Sequence, residues 1–320
     1  WHRRFGHAVK GVDTAEKRGL IKLLSGHFGD CTACDIGKST RQPTPRTTLR
    51  ECSTPLEVVY VDLAGPIQPA GRYAQRYIAQ FTCGKTSFRW AYPIVQKSDA
   101  IKALGLFLDE VDLTDHRVRC LRSDNGGEFT GRVFREECLR RGVRQEFSAP
   151  RTPEQMGKAE SGWRVAGNAT RATLADCGVD TRFWPEAYEY SIYALNRLAT
   201  RALPGGLTPY EAFYGRPPST AHMRAFGAQA IVHYPSSLRP GGKFGPRGFE
   251  GIMMGYGKDG AGYLVYVPSK GEIIRSKDVK FNENVFPSTS GGLIHPLVAF
   301  SWPEEDADGE DAAGGTGAPP

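Results

Sequence analysis

The run LEVVYVDL at residues 56–63 constrains the fold more than any other stretch of this chain. It is rich in β-branched residues and fits a buried strand, and the later segments have to be arranged around it. RYIAQFT (76–82) and FRWAYPIV (88–95) come next with turn residues between them, the pattern of an antiparallel meander. SDAIKALGLFLDEV (98–111) has helical spacing, with Ser98 or Asp99 available as a cap. VRCLRSD (118–124) is strand-like, RVFREECLRRG (132–142) is a short helix closed by Gly142, and VRQEFSAP (143–150) is another strand. Helical patterns then dominate, over about 153–176 and 183–200. Three strands, helix, strand, helix, strand and then helices predict an α/β layer built on a mixed sheet.

The flanks differ in character. Residues 1–40 are basic and poor in core-forming residues, and STRQPTPRTTLREC (39–52) reads as a linker. RALPGGLTP and GRPPST, both rich in Pro and Gly, mark a second boundary. Beyond it QAIVHYP, FEGIMMGY, GYLVYV and EIIRSKDVKF are short strand candidates separated by turns, which predicts a small β-barrel or sandwich. The tail from about Phe286, rich in Gly, Pro and acids, is expected to be disordered.

Net charge is +6, but residues 303–320 hold six acids and no bases, so the rest of the chain carries 41 bases against 29 acids. An excess of that size favours a polyanionic partner, nucleic acid before membrane. No apolar run approaches the roughly 20 residues of a membrane span, and no signal peptide is visible. Seven cysteines without a secretory signal argue for reduced thiols, some of them on metal. The chain opens on Trp1 rather than Met, so it is expected to be a piece cut from a longer precursor.

His2 and His7 have four residues between them, and Cys31 and Cys34 form a C-x-x-C 23 residues further on. Two imidazoles and two thiolates make a closed tetrahedral zinc set, and zinc would supply the folding free energy that a core-poor segment lacks. The alternative is a chance cysteine pair beside surface histidines.

The acids carry the other signal. Asp62 lies inside the apolar strand, where an unpaired carboxylate costs several kcal/mol; its plainer role is to cap the Ala-Gly-Pro turn that comes after it. Asp124 opens Asn-Gly-Gly and either makes an Asx turn or, if its strand lies parallel beside that of Asp62, reaches the same sheet edge, where open α/β sheets bind ligands. Glu128 competes locally but faces its turn and has no buried strand to hold it. Glu160 comes after Asp124 with 35 residues between, a path of helix, strand and turn that returns to the same edge. Three converging carboxylates repel one another unless a cation intervenes, and hard divalent ions take oxygen ligands. Two Mg²⁺ ions, roughly 3.5–4 Å apart, could activate a nucleophilic oxygen and stabilise the leaving oxygen of a phosphodiester. Arg164 and Arg171 come after Glu160 on one helix face; with Lys158 they are candidates for DNA phosphates, or else a solvated face. Trp163 and Ala166, on the other side, and Trp184 and Tyr188 in the next helix are expected to pack.

At this point the chain resembles the integrase of copia-type LTR retrotransposon polyproteins, from Trp1 to about Phe286. WHRRFGH, CTACDIGKS, PLEVVYVDLAGP, LRSDNGGEF, TPEQMGKAE, FWPEAYEYSIYALNR, LTPYEAFYGRPP, RAFGAQAIVHY and GIMMGY…GYLVYVPSKGEIIRSKDVKF carry the likeness, in that order. The resemblance implies a helical HHCC zinc domain with its linker (1–47), an RNase H-like core with a mixed five-stranded sheet flanked by helices (48–203), a linker and small SH3-like β-barrel domain (204–286), and an acidic tail (287–320). It implies Asp62, Asp124 and Glu160 as a D,D-35-E triad on Mg²⁺ or Mn²⁺, and His2, His7, Cys31 and Cys34 on Zn²⁺. It further implies joining of element cDNA ends to target DNA in the nucleus by a homo-oligomer. Where the family has an Asp-Asp pair after the second strand, this chain has Cys83 and Gly84; Met156 and Ser161 stand for Asn and Arg. These departures are expected to remove polar groups near the site and weaken DNA positioning. They leave two other readings open: a decayed copy that only binds nucleic acid, and a metal-dependent nuclease on the same fold.

Overall fold

The computed structural model describes residues 52–148, 157–234, 240–241, 244–258 and 260–287, with the backbone alone for 157–161. The chain divides into two compact units, 1–47 and 48–320, and every described residue belongs to the second. His2, His7, Cys31, Cys34 and Met156 lie outside the described residues, as does the tail from 288.

The first sheet has five strands, β1 (Val59–Ala64), β2 (Tyr77–Cys83), β3 (Arg89–Ile94), β4 (Cys120–Ser123) and β5 (Arg144–Phe147). Their order is β3-β2-β1-β4-β5. The first three form the expected antiparallel meander, while β4 and β5 run parallel to β1. The mixed sheet is a consequence of its connections. Connections without a helix join the meander, a long loop over residues 65–76 and a short turn over 84–88, whereas each parallel strand is reached through a helix: α1 (Ala100–Asp112) before β4, then α2 (Gly127–Thr130) and α3 (Arg132–Arg140) before β5.

Alternation along the strands divides the sheet's two faces. Val59, Val61, Ala79, Phe81, Trp90 and Tyr92 point to one face, where Leu104, Phe107 and Val111 of α1 close the main core. Phe81 stacks on Phe107 with ring centroids 4.2 Å apart. The opposite face carries Asp62 and Gln80, partners across the β1–β2 ladder, and Thr82 and Arg89, partners across β2–β3. It lies under two helices, α4 (Gly157–Cys177) and α5 (Trp184–Leu195). Trp184 and Tyr188 are fully buried there. Trp184 donates to Pro69 O (3.0 Å) and Tyr188 donates to Gln80 Oε1 (2.7 Å). Both therefore pack, as the sequence predicts.

After the short helix α6 (Pro209–Tyr214) comes a second, antiparallel sheet of five strands: β6 (Gln229–His233), β7 (Gly248–Tyr256), β8 (Tyr263–Val267), β9 (Glu272–Ser276) and β10 (Val279–Asn282), in the order β10-β6-β7-β8-β9. EIIRSKDVKF, a single strand by sequence, breaks into β9 and β10 at Lys277–Asp278. The polar S-K-D stretch turns without the Gly or Pro that would announce it. Ile252 and Met254 of β7 share a core with Tyr188 and Ile192 of α5, so the second sheet packs on the first through α5.

That junction buries an acid. Glu186 of α5 has its carboxyl pushed up to about 7 by burial, with the Glu189 charge adding to it and Arg72 opposing. Because the folded-state value lies above the ordinary 4.5, the group stabilises the fold below about pH 4.5 and loses that contribution as pH rises through 7. Glu186→Gln is therefore expected to unfold at higher temperature than wild type at pH 8, by roughly 1–3 kcal/mol, with the difference vanishing near pH 4.5. Thermal unfolding at the two pH values checks this.

Candidate active site

β4 pairs with β1 with Val59 opposite Leu121 and Tyr60 opposite Arg122, an offset of 62 positions in each case. Carried two residues on, the same offset sets Asp62 level with Asp124. Asp124 thus comes just after the last residue of β4 and Asp62 two residues before the end of β1, toward the same edge of the sheet. Asp62 does not cap the turn after it. Its Oδ1 accepts the N–H of Leu63, the next residue, at 2.8 Å. Asp124 does make the Asx turn, accepting the N–H of Gly126 at 2.9 Å, and is exposed. One of its oxygens holds the turn, and the turn in return fixes the carboxylate at the strand end.

Glu128 joins them. Gly126 caps α2, and a Cβ there would lie 2.9 Å from Glu128 Cδ and 3.0 Å from Asp124 Oδ1, so the two carboxylates close over the glycine. The Glu128 side chain is 13% exposed, and Lys97 Nζ lies 3.9 Å away. The sequence alone sets Glu128 aside because no buried strand holds it. What holds it is the one-turn helix opened by Gly126, and the signal is the Asn-Gly-Gly before the acid.

The electrostatics reflect this crowding. Burial is the largest influence on Asp62 and pushes its carboxyl up to about 6, with the charges of Asp124 and Glu128 adding to the rise. The Leu63 N–H works the other way by hydrogen bonding to the carboxylate, and the nearby indole N–H of Trp163 acts in the same direction. Trp163 is half-buried and sits 5.5 Å from the Tyr188 ring. Its sequence context predicts packing alone; it packs and also reaches Asp62. Ala166 is fully buried, as expected.

Helix α4 approaches the sheet closely at Gly162. A Cβ there would lie 2.9 Å from Gln80 Nε2 and 3.2 Å from Arg89 Nε. Gln80 is the ladder partner of Asp62, so the contact holds the start of α4 over the acid strand. Position 160 lies one turn before Trp163 on the same stripe of the helix. Its backbone therefore belongs to the segment that leans on Asp62. Arg164 and Arg171 are exposed on α4, and Arg171 bonds Asn168 Oδ1. Lys158 is in the helix, with its side chain outside the description.

One expectation is corrected. Cys83 and Gly84 do not border this site. Cys83 pairs with Val59, three residues from Asp62 along β1 and about 10 Å away, and is buried in the main core with its Sγ accepting the Leu56 N–H at 3.3 Å. A Cβ at Gly84 would lie 2.9 Å from Cys52 Sγ and 3.0 Å from Val58 O. An acid there would have no room, so this departure is a packing adjustment that takes nothing from the strand ends.

Among the described residues no three His, Cys, Asp or Glu are spaced to hold a metal ion. The donors at the strand ends are nonetheless all oxygen, and burial, with the neighbouring carboxylates adding to it, raises Asp62. Both properties fit a hard divalent cation. No helix among the described residues is long and apolar enough to cross a membrane.

The chain has relatives among known proteins. Residues 228–293, which contain the second sheet, match the family described as the retroviral polymerase SH3-like domain. The chain is 31% identical over 287 residues to a retrovirus-related Pol polyprotein from transposon TNT 1-94 of Nicotiana tabacum, covering 89% of this chain and 21% of that protein. It is 31% identical over 295 residues to the Pol polyprotein from transposon RE2 of Arabidopsis thaliana, covering 90% and 20%. The chain thus spans about a fifth of the length of these relatives. Its fold is shared with a chain of a simian T-cell lymphotropic virus intasome, solved by cryo-electron microscopy in complex with PP2A regulatory subunit B56 gamma: TM-score 0.50, 16% identity, 88% of this chain and 96% of that one.

Proposed function

We propose that this chain, a relative of the Pol polyproteins of copia-type retrotransposons, is the integrase segment of such a polyprotein, a polynucleotidyl transferase that joins element cDNA 3′ ends to target DNA. What supports the reading is the parallel register of β1 and β4, which carried two residues on would set Asp62 level with Asp124, together with the close approach of Gly162, two residues after Glu160, to Gln80, the ladder partner of Asp62. Asp62, Asp124 and Glu160 are the residues that would hold Mg²⁺ or Mn²⁺, as two ions. When bound, the metal supplies activation of the 3′-hydroxyl and charge stabilisation on the phosphodiester under attack.

The chain's own residues do the rest. Trp163 orients the Asp62 carboxylate, and the Asx turn at Gly126 fixes that of Asp124. Lys158, Arg164 and Arg171 lie along α4 where they meet DNA phosphates and set position without reading sequence. His2, His7, Cys31 and Cys34 hold a structural Zn²⁺ in the N-terminal unit, and a zinc content well below one per chain in folded protein would remove that assignment. Concerted joining of two cDNA ends requires more than one copy on the DNA, and the reaction takes place in the nucleus.

A strand-transfer assay on a labelled duplex end with Mg²⁺ or Mn²⁺ tests the reading. Joined products are expected. Cleavage without joining identifies a nuclease instead. DNA binding with neither product identifies a decayed copy, the reading that Met156 and Ser161 favour.

A further inference from the structure

Between the two sheets lies a cavity of about 410 Å³, walled by β3 and α5 on one side and by β7 and β8 on the other. That volume lies in the range of small-molecule sites, which favour domain junctions and combine apolar walls with a few convergent polar groups. The charged groups here are three acids and four bases. Glu186 and Glu189 of α5 and Glu110 of α1 line it, and their charges act on one another in sequence, Glu189 on Glu186 and Glu110 on Glu189. Glu186 is 8% exposed, and its Oε2 has no hydrogen-bond partner.

Two cations face these acids, and neither satisfies them. Lys258, on the turn after β7, sits with Nζ 3.9 Å from Glu189 Oε1 and 4.2 Å from the centroid of the Tyr92 ring. The charge of Arg72 reaches Glu186, but its Nη2 donates to Gly271 O at 2.6 Å and its Nη1 is unpartnered. Arg197 and Arg275 also line the cavity and are engaged elsewhere, Arg197 over the Tyr193 ring at 3.3 Å and Arg275 with Nε on Ala261 O at 2.7 Å. Arg89 contributes to the wall, and its side chain is drawn under α4 toward Gly162.

Lys258 shows what fits: an ammonium between a carboxylate and an aromatic face. Glu189 already meets Lys258 while Glu186 Oε2 has no partner, so a cation that serves both acids has to bring its own length. Glu186 and Glu189 stand three residues apart on one helix, where side chains begin about 5–6 Å from each other, the span of a short alkyl diamine. We propose that this cavity binds a short aliphatic diamine, one ammonium on Glu186 and the other on Glu189, its methylenes against Tyr190 and Tyr256. Lys258 mimics one of the two ammonium groups and competes for Glu189. Burial pushes both α5 carboxyls up to about 7. Tyr92 stays neutral, its hydroxyl donating to Glu110 Oε2 at 2.8 Å. The diamine remains charged, so binding strengthens as pH rises through 7 and the acids ionise.

Calorimetric titration of 1,4-diaminobutane into the full chain at pH 8, free of divalent metal, tests this. Saturation at one per chain is expected, weakened at least tenfold at pH 6 and in Glu186→Gln or Glu189→Gln, with circular dichroism reporting their folding. Butylamine, with one ammonium, is expected to bind at least tenfold more weakly. Lys258→Ala, on an exposed turn, is expected to tighten binding severalfold, and Asp62→Asn to leave it unchanged. Absence of saturation overturns the proposal. So does equal binding by the Glu186→Gln/Glu189→Gln double variant, which puts the diamine on the acidic residues 304–311. Loss in Asp62→Asn moves it to the strand-end carboxylates, and weakening in Lys258→Ala contradicts the competition; either result also overturns it.

Discussion

Asp124→Asn lowers strand transfer by about three orders of magnitude or more, the equivalent of roughly 4 kcal/mol of barrier, while the protein melts at or slightly above the wild-type temperature. The two halves of that expectation come from the same carboxylate. Asparagine keeps the Oδ1 that accepts the Gly126 N–H at 2.9 Å, so the turn and the start of α2 survive. What goes is the charge. Asp124 raises the buried Asp62, so its removal relieves repulsion in the protein alone and costs function only if a cation needs both acids. Glu160→Gln is expected to match it in activity loss. A variant with wild-type joining would end the assignment of that residue. A variant that loses both joining and folding would mean that Asp124 is a turn residue and nothing more. Joining rates beside thermal unfolding curves separate these outcomes.

How much of this site is legible in the sequence depends on whether the controlling interaction is periodic. The meander and α1 are dictated by alternation and helical spacing, so their positions differ from the sequence reading by a few residues at most. Asp62 shows in the sequence because a carboxylate interrupts a β-branched run. Its pairing with Asp124 is another matter, since register across a parallel pair is set by packing on both faces and by the crossover through α1. No local pattern encodes it. Glu128 is missed for a related reason: its place is fixed by backbone geometry at Gly126, and composition gives no view of where a one-turn helix points.

Two further features are invisible for the opposite reason, that they join segments far apart in the chain. The departure at Cys83 and Gly84 looks like damage to a site when read against the resemblance. In the structure it is a local fit between Gly84 and Cys52 at the far end of β1. The cavity at the junction needs α5 from one sheet's layer and β7 from the other. Glu186 and Glu189 in the sequence are simply two acids on an aromatic-rich helix. Glu186 is buried and Glu189 partly covered only once the second sheet lies over α5.

Gly162→Val is expected to reduce joining at least about a hundredfold and to destabilise the fold by roughly 1–3 kcal/mol. In a helix interior glycine is ordinarily a weakness, costing near 1 kcal/mol against alanine, so replacing it should help. Here the added atoms have nowhere to go. A Cβ already lies 2.9 Å from Gln80 Nε2 and 3.2 Å from Arg89 Nε; the Arg89 side chain is free to swing, but Gln80 is buried and its Oε1 is held by the Tyr188 hydroxyl at 2.7 Å. Because Gln80 has little room to retreat, the helix shifts to accommodate the larger side chain. Trp163 then leaves Asp62, and position 160, one turn earlier, shifts with it. A misplacement of about 1 Å in a reacting group can cost a hundredfold, which is why activity should fall further than the loss of stability alone explains. Joining measured well below the melting temperature, alongside the unfolding curve, distinguishes the two effects. If activity falls only in proportion to the unfolded fraction, the close approach of α4 is a packing detail. If it falls while the protein stays folded, the glycine is what seats the third acid.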